Sequence, residues 1–562
     1  MKNQKVYVAD FETCNSQDNI LTEKTSVWLW DVCNINTLSH KTGHTIVEFI
    51  NYIEKLAPAV IYTHNLKFDG LFIMDYIMKN GFEHTKEKSL KANQFTTLIT
   101  SANVFYSMKI CFEAKNKKTK KTIEFRDSSK KIKGTVEQIA INYNLPILKG
   151  KIDYTMPRDE NYQATENEIA YVHNDTEIVA RVLQMQYAKK LTHLTSASDT
   201  FHLYKEFCGK HFNYLYPTLS IETDEFIRKS YRGGINLIAD KYKSKLLENV
   251  YIYDVNSMYP SVMAYDLLPY GIPKYFTGKY IDNKAYPLYI QRVKVCCRLK
   301  NEHLPTILMP NLWFLDEEYL VDTAGEMLEL NLTNLDLDLL FEHYEIFDIK
   351  YIDGYMFMGS HKLFKEFIMP LYELKSTSTG ADKEHYKTLL NGLYGKFASN
   401  PKHKRKIPFL KDGVVCFMNT EMQESDPIYT AVSSFITAYA RVHLFKAIYD
   451  NFDGFIYCDT DSIHLTHEAR NIDIDDKKLG AWKNETKDDP IIKACYLAPK
   501  TYMYLTKSYV ENKKIAGCPA NVKEKITFDN FKYNQSFTGK LLPKRVNGGV
   551  VLVENVFTIK MR

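Results

Sequence analysis

Apolar and polar positions alternate with two different periods along residues 1–190. Strand-like runs such as KVYVADFE, AVIYTHN, VFYSMKICFEA and KTIEFRD are separated by helical stretches such as TIVEFINYIEKL and TVEQIAINYN. This alternation predicts an α/β domain, because each helix covers a sheet face that the strands cannot cover themselves. The helical pattern ENEIAYVHNDTEIVARVLQMQYAKKL closes this region.

The rest of the chain predicts a mixed α+β organisation. Residues 191–250 look irregular, and the strand NVYIYDVNSMYP then opens a second region. Short apolar runs fill residues 266–362, and the helices DKEHYKTLLNGLYGKF and YTAVSSFITAYARVHLFKAIYDNF lie on either side of a basic segment at 400–427. The chain becomes rich in strands after about residue 500. Because 562 residues exceed what one core supports, the pattern predicts three or four domains.

The stretch IYCDTDSIHL places two carboxylates inside a strand-like run. Asp459 and Asp461 are expected at a turn between two half-buried strands, on one face by the period of two. Like charges this close either raise one pKa or recruit a divalent cation. The alternative is an ordinary polar hairpin tip. Asp254, which ends the strand VYIYD, is a ready third ligand.

A second acidic set lies in the first 190 residues. In VADFET, Asp10 and Glu12 share one strand face, and Asp69 follows the strand VIYTHN. In YVHND, Tyr171 and Asp175 are four apart and share a helical face. Together these groups suit two hard cations and an oriented water, as two-metal phosphodiester hydrolysis requires. Taken singly, each has a structural interpretation as a cap or as part of the core.

The helix DKEHYKTLLNGLYG has two faces. Lys383, Lys387, Asn391 and Tyr394 recur along one face, which suits phosphates and a stacked base. The other face is apolar, with Leu389, Leu390 and Leu393. Without neighbouring carboxylates this pattern is typical of an amphipathic helix whose basic face is solvated.

Charge and composition favour a nucleic-acid partner. The net charge is only +5, but lysines cluster in KNKKTKK (115–121), KHKRK (402–406) and KSYVENKK (507–514), beside 40 tyrosines and 31 phenylalanines. Such runs also occur as plain solvated loops. The ten cysteines show no zinc spacing, which indicates a reducing compartment. No segment resembles a signal peptide or membrane span, so we expect a soluble cytosolic protein.

These motifs, in this order, resemble those of the family B DNA polymerases. DVNSMYP (254–260), KEHYKTLLNGLYG (383–395), YCDTDS (457–462) and KTY (500–502) are similar to the polymerase motifs. DFE, HNLKFDG and YVHND are similar to the three proofreading exonuclease motifs. YRGG (231–234), LKGKIDY (148–154) and the segments 266–362 and 400–427 resemble the protein-primed branch, from small tailed bacteriophages.

The resemblance implies a multidomain α/β and α+β fold, in which an RNase H-like 3′–5′ exonuclease precedes a right-hand polymerase with two insertions. The implied domains are 1–190 (exonuclease), 191–265 (start of the palm), 266–362 (insertion that docks a terminal protein), 363–399 (fingers), 400–427 (insertion for strand displacement and processivity), 428–530 (palm) and 531–562 (thumb). The implied function is template-directed DNA synthesis with proofreading, which replicates a linear phage genome by protein priming and processive strand displacement.

The resemblance also implies roles for individual residues. In the polymerase, Asp254 and Asp461 would bridge the metals together with the Val255 carbonyl, and Asp459 would lie alongside. The implied nucleotide-binding residues are Tyr259, Lys375, Lys387, Asn391 and Tyr394. The implied DNA-binding residues are Tyr231, Gly233, Gly234, Lys383, Lys500 and Tyr502, with Asn65 and Phe68 on the single-stranded 3′ end. In the exonuclease, Asp10, Glu12, Asp69 and Asp175 would hold metal, assisted by Tyr171 and Lys149.

The implied cofactor is Mg²⁺, with Mn²⁺ as a substitute, at two ions per active site. The implied partners are template and primer DNA, dNTPs and a phage terminal protein that serves as primer. The chain would act as a monomer or as a heterodimer with that protein, without a membrane, in the cytoplasm of the infected bacterium. Gly392 departs from the pattern, because many relatives carry Ser there. Two alternatives remain: a metal nuclease whose larger half only holds DNA, and a non-enzymatic single-strand binder.

Overall fold

A computed structural model describes residues 4–87, 89–113, 121–153, 156–159, 161–309 and 319–560. Most of the lysine run KNKKTKK and the last residue of LKGKIDY lie outside these described residues. Within them, no helix is both long enough and apolar enough to cross a membrane.

The first unit is a mixed eight-stranded sheet with helices on both faces, as the alternating pattern predicts. The strand order is β3-β2-β1-β4-β8-β7-β6-β5, and β1, β4 and β8 run parallel. One apolar layer packs the sheet against α2 and α3, and a second packs it against α4 and α5. The elements are β1 (Lys5–Thr13), α1 (Gln17–Thr22), β2 (Val27–Asn34), β3 (His40–Gly43), α2 (Ile46–Leu56), β4 (Ala59–Thr63), α3 (Leu66–Lys79), β5 (Glu83–His84), β6 (Gln94–Ile99), β7 (Phe105–Phe112), β8 (Lys121–Asp127), α4 (Val136–Asn142) and α5 (Glu166–Ala188).

Residues 191–250 are more regular than the sequence indicates. The expectation of an irregular segment is wrong, because three helices occupy most of residues 196–228. The first two pack together through aromatic rings such as Tyr204, Phe212 and Tyr216. The buried positions of these helices include the polar residues Asp199, Thr200 and Asp224, so no simple apolar stripe marks them in the sequence. The elements of this region are α6 (Ser196–Cys208), α7 (Phe212–Leu215), α8 (Ile221–Arg228), β9 (Asn236–Ile238), β10 (Leu246–Leu247), β11 (Tyr251–Val255) and α9 (Met258–Tyr265).

Residues 266–362 form a small unit of their own. Their strands make an antiparallel sheet in the order β12-β15-β13-β14, and one helix packs on it around a separate apolar cluster. Cys296 and Cys297 are adjacent in β13. The elements are β12 (Leu268–Thr277), β13 (Leu288–Leu299), β14 (Leu328–Thr333), α10 (Asn334–His343) and β15 (Tyr344–Ser360).

A helix pair and two small hairpin ladders follow. The helix predicted from DKEHYKTLLNGLYGKF is present and packs against α6, with its three leucines buried. The following segment pairs β16 with β19 and β17 with β18. The elements are α11 (Lys365–Thr377), α12 (Gly380–Phe397), β16 (Lys402–His403), β17 (Lys406–Lys411), β18 (Val414–Asn419) and β19 (Gln423–Glu424).

The C-terminal part completes a central five-stranded sheet in the order β22-β11-β21-β20-β9. The long helix α13 is buried along most of its length and packs with α9 beside this sheet, in the largest apolar cluster. A second sheet, β10-β23-β24-β25, and a final hairpin follow. The elements are α13 (Thr430–Tyr449), β20 (Phe455–Asp459), β21 (Ser462–Leu465), β22 (Trp482–Asn484), β23 (Ile491–Ala498), β24 (Thr501–Thr506), β25 (Glu511–Ile515), α14 (Ala520–Lys523), β26 (Ser536–Val546) and β27 (Gly549–Thr558).

The two ends of the chain meet. The β26–β27 hairpin packs against α1 and α3 of the first unit, and Val550 belongs to the apolar cluster of that unit. Residues 400–427 contact the same unit, since Arg405 bridges to Thr100 and the Lys406 ammonium donates to Asn103 Oδ1 over 2.6 Å. The hairpin contact brings Leu541 and Leu552 to a cleft beside the acidic residues of the first unit.

Candidate active sites

The central sheet assembles the first acidic cluster. Asp254 and Asp459 both pair with Ser462, on its two sides, in the ladders of β11 and β20 with β21. In the turn between Asp459 and Asp461, Thr460 adopts a left-handed φ of 60°, and the Asp461 amide donates to the Asp459 carbonyl over 2.6 Å. The predicted hairpin turn is confirmed. The strands are buried rather than half-buried, because other elements cover both faces of the sheet.

The electrostatics of this cluster favour a bound cation. Burial raises the pKa of Asp254 to about 7, and the charge of Asp461 adds to this effect. Burial and the charge of Asp459 likewise raise the pKa of Asp461 to about 6. The Val255 amide donates to the Asp461 carbonyl over 2.8 Å, so these two metal-ligand candidates are adjacent. A divalent ion relieves such repulsion without protonating the carboxylates.

The YRGG loop lies directly on the aspartate turn. The Thr460 amide donates to the Ile235 carbonyl over 2.7 Å, and a Cβ on Gly234 would come within 2.5 Å of Thr460 Oγ1. Only glycine therefore fits at position 234 without moving the turn. The buried Arg441 fixes the loop from behind, donating to the carbonyls of Arg232 and Gly233 over 2.9 Å each.

Aromatic rings form the next layer of the site. The rings of Tyr259 on α9 and Tyr394 on α12 are 4.2 Å apart at an angle of 39°. Burial raises the pKa of each phenol, and the nearby Tyr231 contributes to the shift at both. Lys375 lies beside this layer. Its ammonium donates to Oγ of Ser257, the residue that precedes α9, over 2.9 Å. The structure therefore brings these four predicted residues together near Asp254.

The remaining predicted lysines and Asn391 are placed differently. Lys383, Lys387 and Asn391 lie on the exposed face of α12 and do not line the cleft at the aspartates. Burial lowers the pKa of Lys375, and the positive charges of Lys387 and Lys383 lower it further. Hence a basic patch extends from Lys375 along the helix.

A cleft of about 1010 Å³ opens at the three aspartates. The predicted Lys500 and Tyr502 line it, and the Lys500 ammonium is 3.5 Å from Asp459 Oδ1. Tyr502 stacks on Tyr496, with ring centroids 5.2 Å apart. Lys514, from the basic run KSYVENKK, also lines the cleft. The sequence did not indicate three other lining residues: Glu485, Asp489 and Lys523.

The second cluster lies on the first sheet. Asp10 and Glu12 project from β1, and α5 crosses this strand with Tyr171 and Asp175. Asp69 lies in the first turn of α3 and is only 2% exposed. Besides burial, the charge of Asp10 contributes to the raised pKa of Asp69, so the two carboxyl groups belong to one cluster.

Burial dominates the electrostatics here too. It raises the pKa of Asp10 to about 7, with a further contribution from Asp175, and it raises the pKa values of Glu12 and Asp69 well above their ordinary range. Burial also raises the pKa of Asp175, although the Lys149 ammonium opposes the shift. Four carboxyl groups with raised pKa values in one place need either protons or cations.

The hydrogen bonding of Asp175 indicates whether this cluster suits a metal. One of its oxygens, Oδ2, accepts from the Lys149 ammonium, which also lies 5.0 Å from the centre of the Tyr171 ring. The other oxygen, Oδ1, is buried and has no hydrogen-bond partner within the described ranges. Since an unpaired buried carboxylate oxygen is costly, the donor set fits a bound cation.

A cleft of about 460 Å³ borders this cluster. The predicted Asn65 and Phe68 line it at the start of α3, where Asn65 adopts a left-handed φ of 85°. Residues that the sequence did not indicate also line it: His64, Trp28, Arg158 and, from the final hairpin, Leu541 and Leu552. No local pattern marks the two leucines, because only the tertiary contact between the chain ends brings them here.

Comparisons with known proteins show the family to which the chain belongs. The family described as DNA polymerase type B, organellar and viral, matches residues 55–478. The DNA polymerase of Bacillus phage B103 is 40% identical over 582 residues, covering 99% of this chain and 100% of the relative. The DNA polymerase of Streptococcus phage Cp-1 is 32% identical over 590 residues, covering 99% and 98%. The structure of Phi29 DNA polymerase complexed with primer-template DNA and incoming nucleotide substrates matches with a TM-score of 0.92 at 37% identity, covering 99% of this chain and 100% of that chain.

The chain therefore belongs to the type B DNA polymerases of the organellar and viral group. It is a DNA-directed DNA polymerase with a 3′–5′ exonuclease, and it has the multidomain fold that the resemblance implied.

Proposed function

We propose that the cluster of Asp254, Asp459 and Asp461 performs nucleotide addition, and that the cluster of Asp10, Glu12, Asp69 and Asp175 performs 3′–5′ proofreading. The observation that carries this assignment is the presence of two buried carboxylate clusters, each with raised pKa values and each facing its own cleft. A nuclease with an inert DNA-holding half has no need of the first cluster, and a single-strand binder has no need of either.

In the polymerase site, Asp254, Asp461 and the Val255 carbonyl would hold two Mg²⁺ ions, for which Mn²⁺ can substitute. Bound there, the ions activate the primer 3′-hydroxyl and neutralise the triphosphate charge. Lys375, with Lys387 and Asn391 beyond it on α12, binds the phosphates of the incoming dNTP. The Tyr259 and Tyr394 rings enclose its sugar and base.

The template and primer lie along the cleft at the aspartates. Lys500 and Tyr502 hold the primer end, because both line this cleft beside Asp459. Tyr231, Gly233 and Gly234 contact the template side, where the YRGG loop lies on the aspartate turn, and Lys383 adds a basic contact on α12.

In the exonuclease site, the four carboxylates would hold Mg²⁺ or Mn²⁺, which supplies an activated water for phosphodiester hydrolysis. Tyr171 and Lys149 position Asp175 and the water, as their contacts with Asp175 indicate. Asn65 and Phe68 hold the single-stranded 3′ end at the mouth of the cleft.

The domain assignment follows these sites. Residues 1–190 are the exonuclease, 191–265 and 428–530 the palm, 363–399 the fingers and 531–562 the thumb. Residues 266–362 form a docking insertion for a terminal protein, which is supported by their own sheet and apolar cluster. Residues 400–427 form the insertion for strand displacement and processivity, which is supported by their contacts with the exonuclease unit.

Synthesis begins on a protein. The relatives are phage DNA polymerases that match this chain from end to end, and the docking insertion gives room for a terminal protein whose hydroxyl replaces a primer. The chain thus acts alone or as a heterodimer with that protein, in the cytoplasm of an infected bacterium, on a linear phage genome.

Primer extension on a defined template, with and without EDTA, tests the polymerase assignment. We expect template-directed products only with Mg²⁺ or Mn²⁺. Incubation with a labelled dNTP and the candidate terminal protein, resolved on a denaturing gel, tests protein priming. Primer extension without a labelled protein band would leave the polymerase standing and reject protein priming; absence of extension would reject the polymerase site.

A further inference from the structure

A cluster of metal-ligand side chains lies beside the exonuclease site but outside its cleft. Asp31 on β2, His40 on β3 and His173 on α5 place one carboxylate oxygen and two ring nitrogens within 4.8 Å of one another. None of the three lines the exonuclease cleft. We propose that these three side chains bind a zinc ion.

The donor atoms already have suitable spacing. His40 Nδ1 is 2.8 Å from Asp31 Oδ2, and His173 Nε2 is 3.4 Å from Asp31 Oδ1. Tetrahedral zinc with ligand bonds near 2.0–2.1 Å separates its ligands by about 3.3 Å. The two imidazole rings lie nearly face to face, 4.2 Å apart and inclined by 25°, so both reach the same carboxylate. Small side-chain shifts therefore suffice to enclose an ion.

The surrounding groups match the outer shell of a zinc site. The second nitrogen of His40, Nε2, faces Glu177 Oε2 at 3.4 Å, and Arg181 holds that carboxylate in place. Metal-bound histidines commonly donate their other N–H to such a carboxylate. Asp31 is completely buried and accepts a hydrogen bond from Thr176 Oγ1 over 2.5 Å, which fixes its orientation. The buried thiol of Cys33, opposite His40 in the β2–β3 ladder, lies nearby.

The ligand types select zinc over the catalytic ions. Two imidazoles and one carboxylate suit zinc and neighbouring transition metals, whereas Mg²⁺ prefers oxygen ligands and retains its waters. The ligands come from two strands and from the helix that carries Tyr171 and Asp175. Asp31 also pairs directly with Asp10 across β1 and β2. The ion would thus fasten α5 to the sheet one strand away from a catalytic carboxylate.

Zinc content of the full-length chain tests the proposal. The parent chain for this experiment is given the changes Asp10→Ala and Asp254→Ala, so that the two catalytic sites no longer retain zinc. After loading with Zn²⁺ and gel filtration in excess Mg²⁺, we expect one zinc per chain by elemental analysis. Adding His40→Gln or His173→Gln to this chain should lower zinc affinity at least a hundredfold. When Co²⁺ replaces zinc, these two variants should lack the tetrahedral absorption bands that the parent chain shows.

Two further variants separate binding from folding. Glu177→Gln keeps all three donors and should weaken zinc binding about tenfold or more, as loss of an outer-shell carboxylate does. His84→Gln removes a partly buried histidine of the same unit, which donates to or accepts from Thr97 at 3.0 Å, and should leave zinc binding unchanged. A chain that retains no zinc, or equal zinc affinity in the parent chain and in the His40, His173 and Glu177 variants, would overturn the proposal.

Discussion

At the scale of single residues, both sites depend on carboxylates that the fold holds close together in buried positions. Burial and mutual repulsion raise the pKa of Asp10 and of Asp254 to about 7. The metal-free protein therefore keeps part of this charge neutral by protonation near neutral pH. Metal binding replaces those protons, so metal affinity, activity and stability all depend on the same groups.

The two activities should be separable, because they use different carboxylates in different units of the fold. Asp254→Asn or Asp461→Asn should reduce primer extension by about a thousandfold or more, since each removes a ligand of the catalytic ions. Degradation of a single-stranded 3′ end should persist. Asp10→Ala combined with Glu12→Ala should do the reverse. If either change in a folded chain abolished both activities, the two-site assignment would be wrong.

The stabilising effect of Mg²⁺ should increase with pH. A carboxyl group whose pKa is raised on folding stabilises the protein fully below its unfolded pKa of about 4, and this stabilisation is lost as pH rises towards about 7. Mg²⁺ relieves the repulsion that appears over this range. The melting temperature in Mg²⁺ should exceed the melting temperature in EDTA by more at pH 8 than at pH 5. The shift should shrink in Asp10→Asn, and an equal shift at both pH values would contradict this argument.

Tyr259 should exclude ribonucleotides. Its ring lies against Tyr394 beside the aspartate cluster, where it would crowd the 2′-hydroxyl of an incoming nucleotide. Tyr259→Val should raise ribonucleotide incorporation about tenfold or more, because a shape contact of this size contributes roughly 1–3 kcal/mol to discrimination. Tyr259→Phe keeps the ring and serves as the matched control. Single-nucleotide kinetics with dNTP and rNTP measure the ratio, and an unchanged ratio in the valine variant would reject the role.

At the scale of elements, close packing between α6 and α12 explains the departure at Gly392. A Cβ there would lie 3.0 Å from Thr200 Oγ1 and 3.2 Å from the Ala197 backbone, both on α6. Glycine has a low helix propensity, so by itself this residue loosens the helix. The structure shows that it also permits the two helices to approach, which no local propensity reveals.

Two glycines of the same helix should therefore respond in opposite ways to alanine. Gly395→Ala meets no atom within 4 Å and should stabilise the helix by about 0.5–1 kcal/mol through propensity alone. Gly392→Ala gains the same propensity but crowds α6, at a cost of about 1–3 kcal/mol, so its melting temperature should fall. Thermal unfolding of both variants makes the comparison. Equal stabilisation by the two changes would show that α6 yields without cost.

The elements that the sequence predicted are those with a clear period or a distinctive strand pattern. The amphipathic pattern indicated α12, and the carboxylate-bearing strands β1 and β11 were also recognisable. The three helices at 196–228 were missed because polar residues such as Asp199, Thr200 and Asp224 occupy several of their buried positions. The site residues Leu541 and Leu552 were missed for a different reason: they reach the exonuclease cleft only through contact between the two ends of the chain.

At the scale of the whole molecule, residues 400–427 join the exonuclease unit to the final hairpin. Val415 of β18 belongs to the apolar cluster of the exonuclease unit, as does Val550 of β27. The Arg545 guanidinium of β26 donates to the Val415 carbonyl over 3.2 Å. These contacts make a continuous connection between three regions that are distant in sequence. Such a closure around DNA would slow dissociation and separate the strands ahead of the primer.

Removal of most of residues 400–427 should shorten the DNA that is made in one binding event (the run length) but should not slow the addition of a single nucleotide. Lys402 and Glu424 pair across β16 and β19, so the cut ends are adjacent, and two glycines can replace residues 403–423. Because the shortened chain releases DNA faster, the product of one binding event should be at least about tenfold shorter. Displacement of a downstream strand should fail, while single additions at a short gap continue.

A charge control distinguishes closure from simple attraction to phosphate. Lys404→Ala with Arg405→Ala keeps the backbone connection but removes two positive charges, and it should shorten synthesis mainly at high salt, where the remaining phosphate contacts are screened. The excised chain should lose run length at every salt concentration, because its defect is topological. Single-strand degradation checks that the exonuclease unit still folds without Val415. An excised chain that copies long duplex templates from one binding event would show that residues 400–427 are a surface loop and not a closure.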